Sequence, residues 1–118
     1  MILKITLALI VIGIFYLSLT PNETLTVGND KISHFIAYGC LMLNIGLLVF
    51  PIKRKGLIGA LLAILIGIII ELLQYFVPGR YMSIEDVYAN SLGVLLGLIL
   101  ILLLGKWIQR LLKFARII

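Results

Sequence analysis

Apolar residues fill four long runs, 5–19, 34–50, 56–77 and 87–104, and the positions between them gather turn formers and charges. Thr20-Pro21 and Val27-Gly28-Asn29-Asp30 separate the first two runs, Pro51 with Lys53-Arg54-Lys55 the next two, and Pro78-Gly79-Arg80 the last two. Each run is close to the roughly 20 residues that cross a bilayer as a helix. Isoleucine, leucine and glycine follow no strand alternation here, and backbone amides in hydrocarbon must be satisfied within their own segment, so helices are predicted rather than a barrel. The expected fold is an all-α membrane protein, a four-transmembrane-helix bundle, with residues 1–118 as one domain. The first run, with Lys4 ahead of it, also resembles a signal peptide, but 16–20 lacks an A-x-A-like cleavage site and the run is read as a retained span. After Gly105, Lys106, Arg110 and Lys113 recur on one helical face and Trp107, Leu111, Phe114 and Ile118 on another. That pattern predicts a separate amphipathic interfacial helix over 106–118, anchoring the chain on anionic lipid.

Composition sharpens this picture. Of 118 residues, 63% are hydrophobic and 13% charged, with a mean hydropathy of +1.24, which excludes a soluble domain of this size. The net charge of +5 does not mark a nucleic-acid surface, because the charges are sorted by side. Lys4, Lys53, Arg54, Lys55, Lys106, Arg110, Lys113 and Arg116 fall on one side of a four-span topology, and only Lys31 and Arg80 on the other. The positive-inside rule then places both termini in the cytoplasm. All five acids, Glu23, Asp30, Glu71, Glu85 and Asp86, lie outside or in the outer half of a span. Cys40 is the only cysteine, so no intrachain disulfide forms, and within an apolar run it reads as a small buried hydrophobe.

Ionisable residues inside spans cost roughly 2.5–3.5 kcal/mol at the helix centre, so each requires a reason. Glu71 stands about 10 Å below Pro78 along the third helix, with Gln74 and Tyr75 on its face. The same ridge continues inward through Gly67, Ala63 and Gly59, a small-residue series that admits another helix closely, so Glu71 is expected to face protein. On the second helix Asp30, His34 and Tyr38 form one stripe, with Lys31 offset by one position. On the fourth, Asp86 and Asn90 run into Gly93 and Gly97, a GxxxG surface. Three helices thus bring polar groups to one depth beneath a loop carrying Arg80, and a pocket open to the outer surface is expected. Structural readings stand beside this one. Ser83 with Asp86 fits a capping box, and Asn29-Asp30 would cap the second helix. Glu71 would pair with Lys31, Arg80 or His34 in a network that fixes packing; Gln74 and Asn90 would bond between helices.

The strings Asp30-Lys31-Ile32-Ser33-His34-Phe35, Glu71-Leu72-Leu73-Gln74-Tyr75-Phe76-Val77-Pro78-Gly79-Arg80 and Ser83-Ile84-Glu85-Asp86, followed by Asn90 and Gly93, resemble the VanZ-like family of small bacterial membrane proteins. The resemblance implies a polytopic protein of the bacterial inner membrane, whose namesake is associated with low-level teicoplanin resistance. His34, Glu71, Gln74, Arg80, Asp86 and Asn90 match the family's polar signature.

The expected site follows. His34 and Glu71 form an acid/base couple with Asp86 beside them, and Asp30, Lys31, Gln74, Arg80 and Asn90 hold a ligand. That ligand is an outer-leaflet amphiphile or lipid-linked cell-wall intermediate, and membrane lipids are the other expected partners. No cofactor is expected; metal binding by Asp30, His34, Glu71 and Asp86 is chemically possible, but no spacing diagnostic of a known metal site is present. The competing readings are a non-catalytic scaffold whose cluster locks the bundle and, ranked below it, a small transporter or channel.

Overall fold

The computed structural model describes residues 1–20 and 27–118, with side chains for 1–20 and 31–118. Four helices account for nearly all of it: α1 (Ile2–Leu19), α2 (Val27–Leu48), α3 (Arg54–Gln74) and α4 (Ile84–Phe114). All four are long and apolar enough to cross a bilayer, and the bundle measures 45 × 24 × 21 Å. The arrangement is up-down-up-down, so the end of α1, the start of α2, the end of α3 and the start of α4 meet at one pole.

The burial pattern is that of a protein dissolved in lipid. Large aliphatic side chains such as Leu9, Ile12, Leu61, Leu72 and Leu103 face outward. Polar and small residues fill much of the inside: Gly59, Ala63, Gly67, Glu71 and Gln74 on α3, and Asp86, Asn90, Gly93 and Gly97 on α4. Lipid tails are as apolar as leucine, so helices associate here through close packing and hydrogen bonds rather than by hiding hydrocarbon. The expected ridges of α3 and α4 are thus the buried ones.

The central pair is α2 and α4, whose backbones touch. A Cβ added at Gly97 would lie 2.7 Å from the Gly39 carbonyl oxygen, and one at Gly93 would stand 3.1 Å from the Phe35 carbonyl carbon. Tyr38, Leu41 and Met42 of α2 pack with Val94 of α4 and with Ala63 and Ile70 of α3 to complete the core. Helix α1 is more peripheral and buries only Ile14 and Ser18.

Two expectations change. The segment 106–118 is not a separate helix, because α4 continues through Gly105 to Phe114. Gly105 does not end the helix; it makes room for Phe50, whose Cε2 would lie 2.5 Å from an added Cβ, and no proline follows to break the chain. At about 1.5 Å per residue, 31 residues exceed the roughly 30 Å hydrocarbon core, so the last turns project beyond it. Those turns carry Lys106, Arg110 and Lys113, with the Arg110 guanidinium 5.6 Å from the Trp107 ring centroid. Cys40, expected to be buried, is exposed and lines a cavity between α1 and α2.

Candidate functional site

Three helices deliver the cluster at the pole described above. From the first turns of α2 comes His34, from the last turns of α3 Glu71 and Gln74, and from the first turns of α4 Asp86 and Asn90; all five are buried, Glu71 and Asn90 to 1% exposure. His34 Nδ1 lies 2.9 Å from Asn90 Oδ1. An amide oxygen only accepts, so Nδ1–H is the donor in this pair. One donor atom each from His34, Glu71 and Asp86 lies within 4.8 Å of the others. The expected convergence of these three residues is present in the structure.

The start of α4 explains how Asp86 reaches the cluster. Ser83 caps the helix, its Oγ accepting from the Asp86 N–H at 3.4 Å. In a reciprocal capping box the acid at the third position would accept from the cap residue's own N–H. Here Glu71 Oε2 from α3 accepts that bond, 3.1 Å from Ser83 N. The Asp86 carboxylate is released from capping and turns to Lys31, whose Nζ is 3.4 Å from Oδ1. Lys31 also pairs with Glu85 at 3.1 Å, so α2 and α4 are clamped near the pole.

Gln74 and Arg80 serve a different end. The last turn of α1 leaves carbonyls without intrahelical donors, and away from water these must be satisfied by side chains. Gln74 Nε2 donates to Ser18 O at 2.8 Å, Arg80 Nη2 to Leu17 O at 2.6 Å and Arg80 Nε to Thr20 O at 3.0 Å. Both residues therefore bind α1 to the pole. Replacing Gln74 with leucine would strand the Ser18 carbonyl, and a loss of about 1–3 kcal/mol is expected, read as a lowered melting temperature of the purified protein. The side chain of Asp30 lies outside the described residues.

Sequence reasoning missed the part played by α1. A cavity of about 450 Å³ opens between α1 and α2, walled by Leu9, Ile10, Gly13 and Ile14 and reaching Ser33, His34, Tyr38 and Arg80. Its apolar body and polar end join the cluster through His34. Gly13, mid-span on an otherwise aliphatic helix, was the available signal: a Cβ added there meets nothing within 4 Å. The Tyr38 hydroxyl and Asn90 Nδ2 are also buried, with no hydrogen-bond partner among the described residues. They come together over Gly67, whose added Cβ would be 3.1 Å from Asn90 Nδ2 and 3.2 Å from Tyr38 Cε1.

The cluster offers an imidazole beside two carboxyl groups in a low-dielectric surrounding, where each electrostatic interaction is stronger than in water. Such a set can move a proton, orient a polar group or hold a cation. A model of the VanZ/LLP1 family matches residues 3–105. No curated protein and no solved structure gives a significant match.

Proposed function

The chain belongs to the VanZ-like family of membrane proteins, and from that premise we propose that it binds an amphiphile of the outer leaflet and acts on, or presents, its polar head. The observation that carries this reading is the cavity of about 450 Å³, apolar along α1 and polar where it meets His34. Its size falls in the range of small-molecule sites, about 300–1,000 Å³. An acyl chain would lie against Leu9, Ile10 and Ile14, and a headgroup would meet His34, with Glu71, Asp86 and Asn90 behind it. His34 and Glu71 are then the groups that meet the polar atoms of the headgroup, with Asp86 beside them, and Lys31 fixes the α2–α4 edge.

Charge sorting supports placing the pole outside. Lys53, Arg54 and Lys55 sit at the opposite end with Lys106, Arg110 and Lys113. In a Cys40→Ala background, an impermeant thiol reagent added to cells is expected to label Tyr81→Cys and not Lys53→Cys. Labelling of the second alone reverses the assignment.

Gly13→Phe tests the cavity. The ring would enter open space, so the melting temperature is expected to change by no more than about 2 °C, while binding of a single-chain anionic detergent falls at least tenfold. Unchanged binding counts against the cavity as the ligand's seat. On the same reading, cells with and without the gene differ in an outer-leaflet lipid or glycolipid, and in susceptibility to teicoplanin.

A transport path finds less support. Towards the Lys53 end the core is Leu41, Met42, Ala60, Ala63 and Ile101, and Asn44 there donates to Thr6 Oγ1 at 2.6 Å.

A further inference from the structure

We propose that His34, Glu71 and Asp86 form a binding site for one divalent transition-metal ion at the inner end of the amphiphile site. Their three donor atoms lie within 4.8 Å of one another. For any such triangle there is a point no more than about 2.8 Å (4.8 Å divided by √3) from every corner. Nitrogen and oxygen ligands of a zinc-like ion stand at about 2.0–2.2 Å, so a shift of no more than about 0.6–0.8 Å per side chain closes the shell. One imidazole and two carboxylates suit manganese, iron or zinc better than a thiolate-loving ion, and three protein ligands leave positions open for water or a headgroup oxygen.

The residues around the donors are arranged as outer-shell partners of a metal. Asn90 Oδ1 lies 2.9 Å from His34 Nδ1 and orients the ring. Ser83 N–H holds Glu71 Oε2 at 3.1 Å and Lys31 holds Asp86 Oδ1 at 3.4 Å, so each ligand is oriented by a group from another helix. The second observation is independent of the donors. Tyr38, 1% exposed, places its hydroxyl in the core with no partner among the described residues, and the Asn90 amide nitrogen shares that condition. Waters on a bound cation are the kind of partner such groups require. A divalent charge also offsets two carboxylates set in a medium where charge is costly. No spacing along the chain reveals this set, because each donor comes from a different helix.

This inference rests on the amphiphile reading only for what the ion meets: with open positions towards the cavity, it would take an anionic headgroup of phosphate or carboxylate type. Cation binding itself is testable without any ligand. The full chain, purified with a histidine-free tag and stripped with a chelator, is titrated with MnCl2 and followed by electron paramagnetic resonance. Saturable uptake of one equivalent is expected, with imidazole nitrogen modulation in the spin-echo spectrum. His34 is the only histidine in the sequence, so that modulation identifies it without a variant. Affinity is expected to fall at least tenfold in Glu71→Gln and Asp86→Asn, and to remain within twofold in Glu85→Gln, whose carboxylate is exposed. A folded wild-type protein that takes up no manganese, or takes it up without nitrogen modulation, overturns the proposal. Protein that binds the ion but no amphiphile leaves the metal site standing and sinks the ligand reading.

Discussion

Gly93→Leu is expected to remove the protein from the membrane. The α2 and α4 backbones meet at this residue, and the atoms nearest an added Cβ belong to the Phe35 carbonyl and, at 3.2 Å, to the Gly39 nitrogen. Backbone in a helix cannot yield as the tip of a flexible side chain can, so the two helices must separate along their length. Overpacking a core typically costs 1–3 kcal/mol, and with backbone as the obstacle about 3 kcal/mol or more is expected, enough to shift a folding equilibrium over a hundredfold. The separation would also part His34 from Asn90, because α2 carries one and α4 the other. Immunoblotting of membrane fractions measures the first effect. Gly39→Ala supplies the contrast: its Cβ would sit 3.5 Å from the Gly93 carbonyl oxygen, an ordinary contact, and near-normal abundance is expected. Equal abundance of the two variants would show that the α2–α4 approach is looser than described.

Glu71→Gln is expected to have the second largest effect, of a different kind. The amide is nearly isosteric with the carboxylate, and its oxygen can still accept from the Ser83 N–H now held at 3.1 Å. The fold should survive while the cluster loses an ionisable carboxyl. A charge-assisted hydrogen bond from a donor on the head contributes about 1.5–3 kcal/mol, so binding of a hydroxyl- or amine-bearing head should weaken roughly tenfold to a hundredfold. Quantitative binding alongside membrane abundance separates the two roles of this residue. Binding lost at unchanged abundance makes Glu71 part of a site; abundance lost in proportion makes it a packing element.

Periodicity revealed those parts of the molecule that physics expresses as side-chain spacing. Gly59, Ala63, Gly67 and Glu71 had to share a face, as did Asp86, Asn90, Gly93 and Gly97, and small residues on a face imply a neighbouring helix; all eight are buried. His34 and Tyr38 followed from the same reasoning on α2. Hydrogen-bond partners were not legible. Gln74 and Arg80 point to backbone carbonyls at the end of α1, and a carbonyl carries no mark in the sequence. The Ser83/Asp86 pair read as a capping box, yet Glu71 from another helix takes one of its two bonds. Gly105 read as a stop, although a glycine that admits an aromatic ring and one that ends a helix look alike in one dimension. A pocket was expected, but the α1 side of the cavity escaped notice because it is made by what α1 lacks at Gly13, not by a residue it possesses.

The central claim is that the cavity between α1 and α2 seats an amphiphile whose head meets the His34–Glu71–Asp86 cluster. The most direct measurement is native mass spectrometry of the full-length protein released from membrane nanodiscs, comparing wild type with Gly13→Phe and Glu71→Gln. The prediction is a wild-type protein carrying one acyl-chain-bearing molecule with a hydrogen-bond-donating head, absent from Gly13→Phe and at least tenfold depleted in Glu71→Gln. A wild-type protein that flies bare, or three proteins carrying the same complement of lipid, would contradict it.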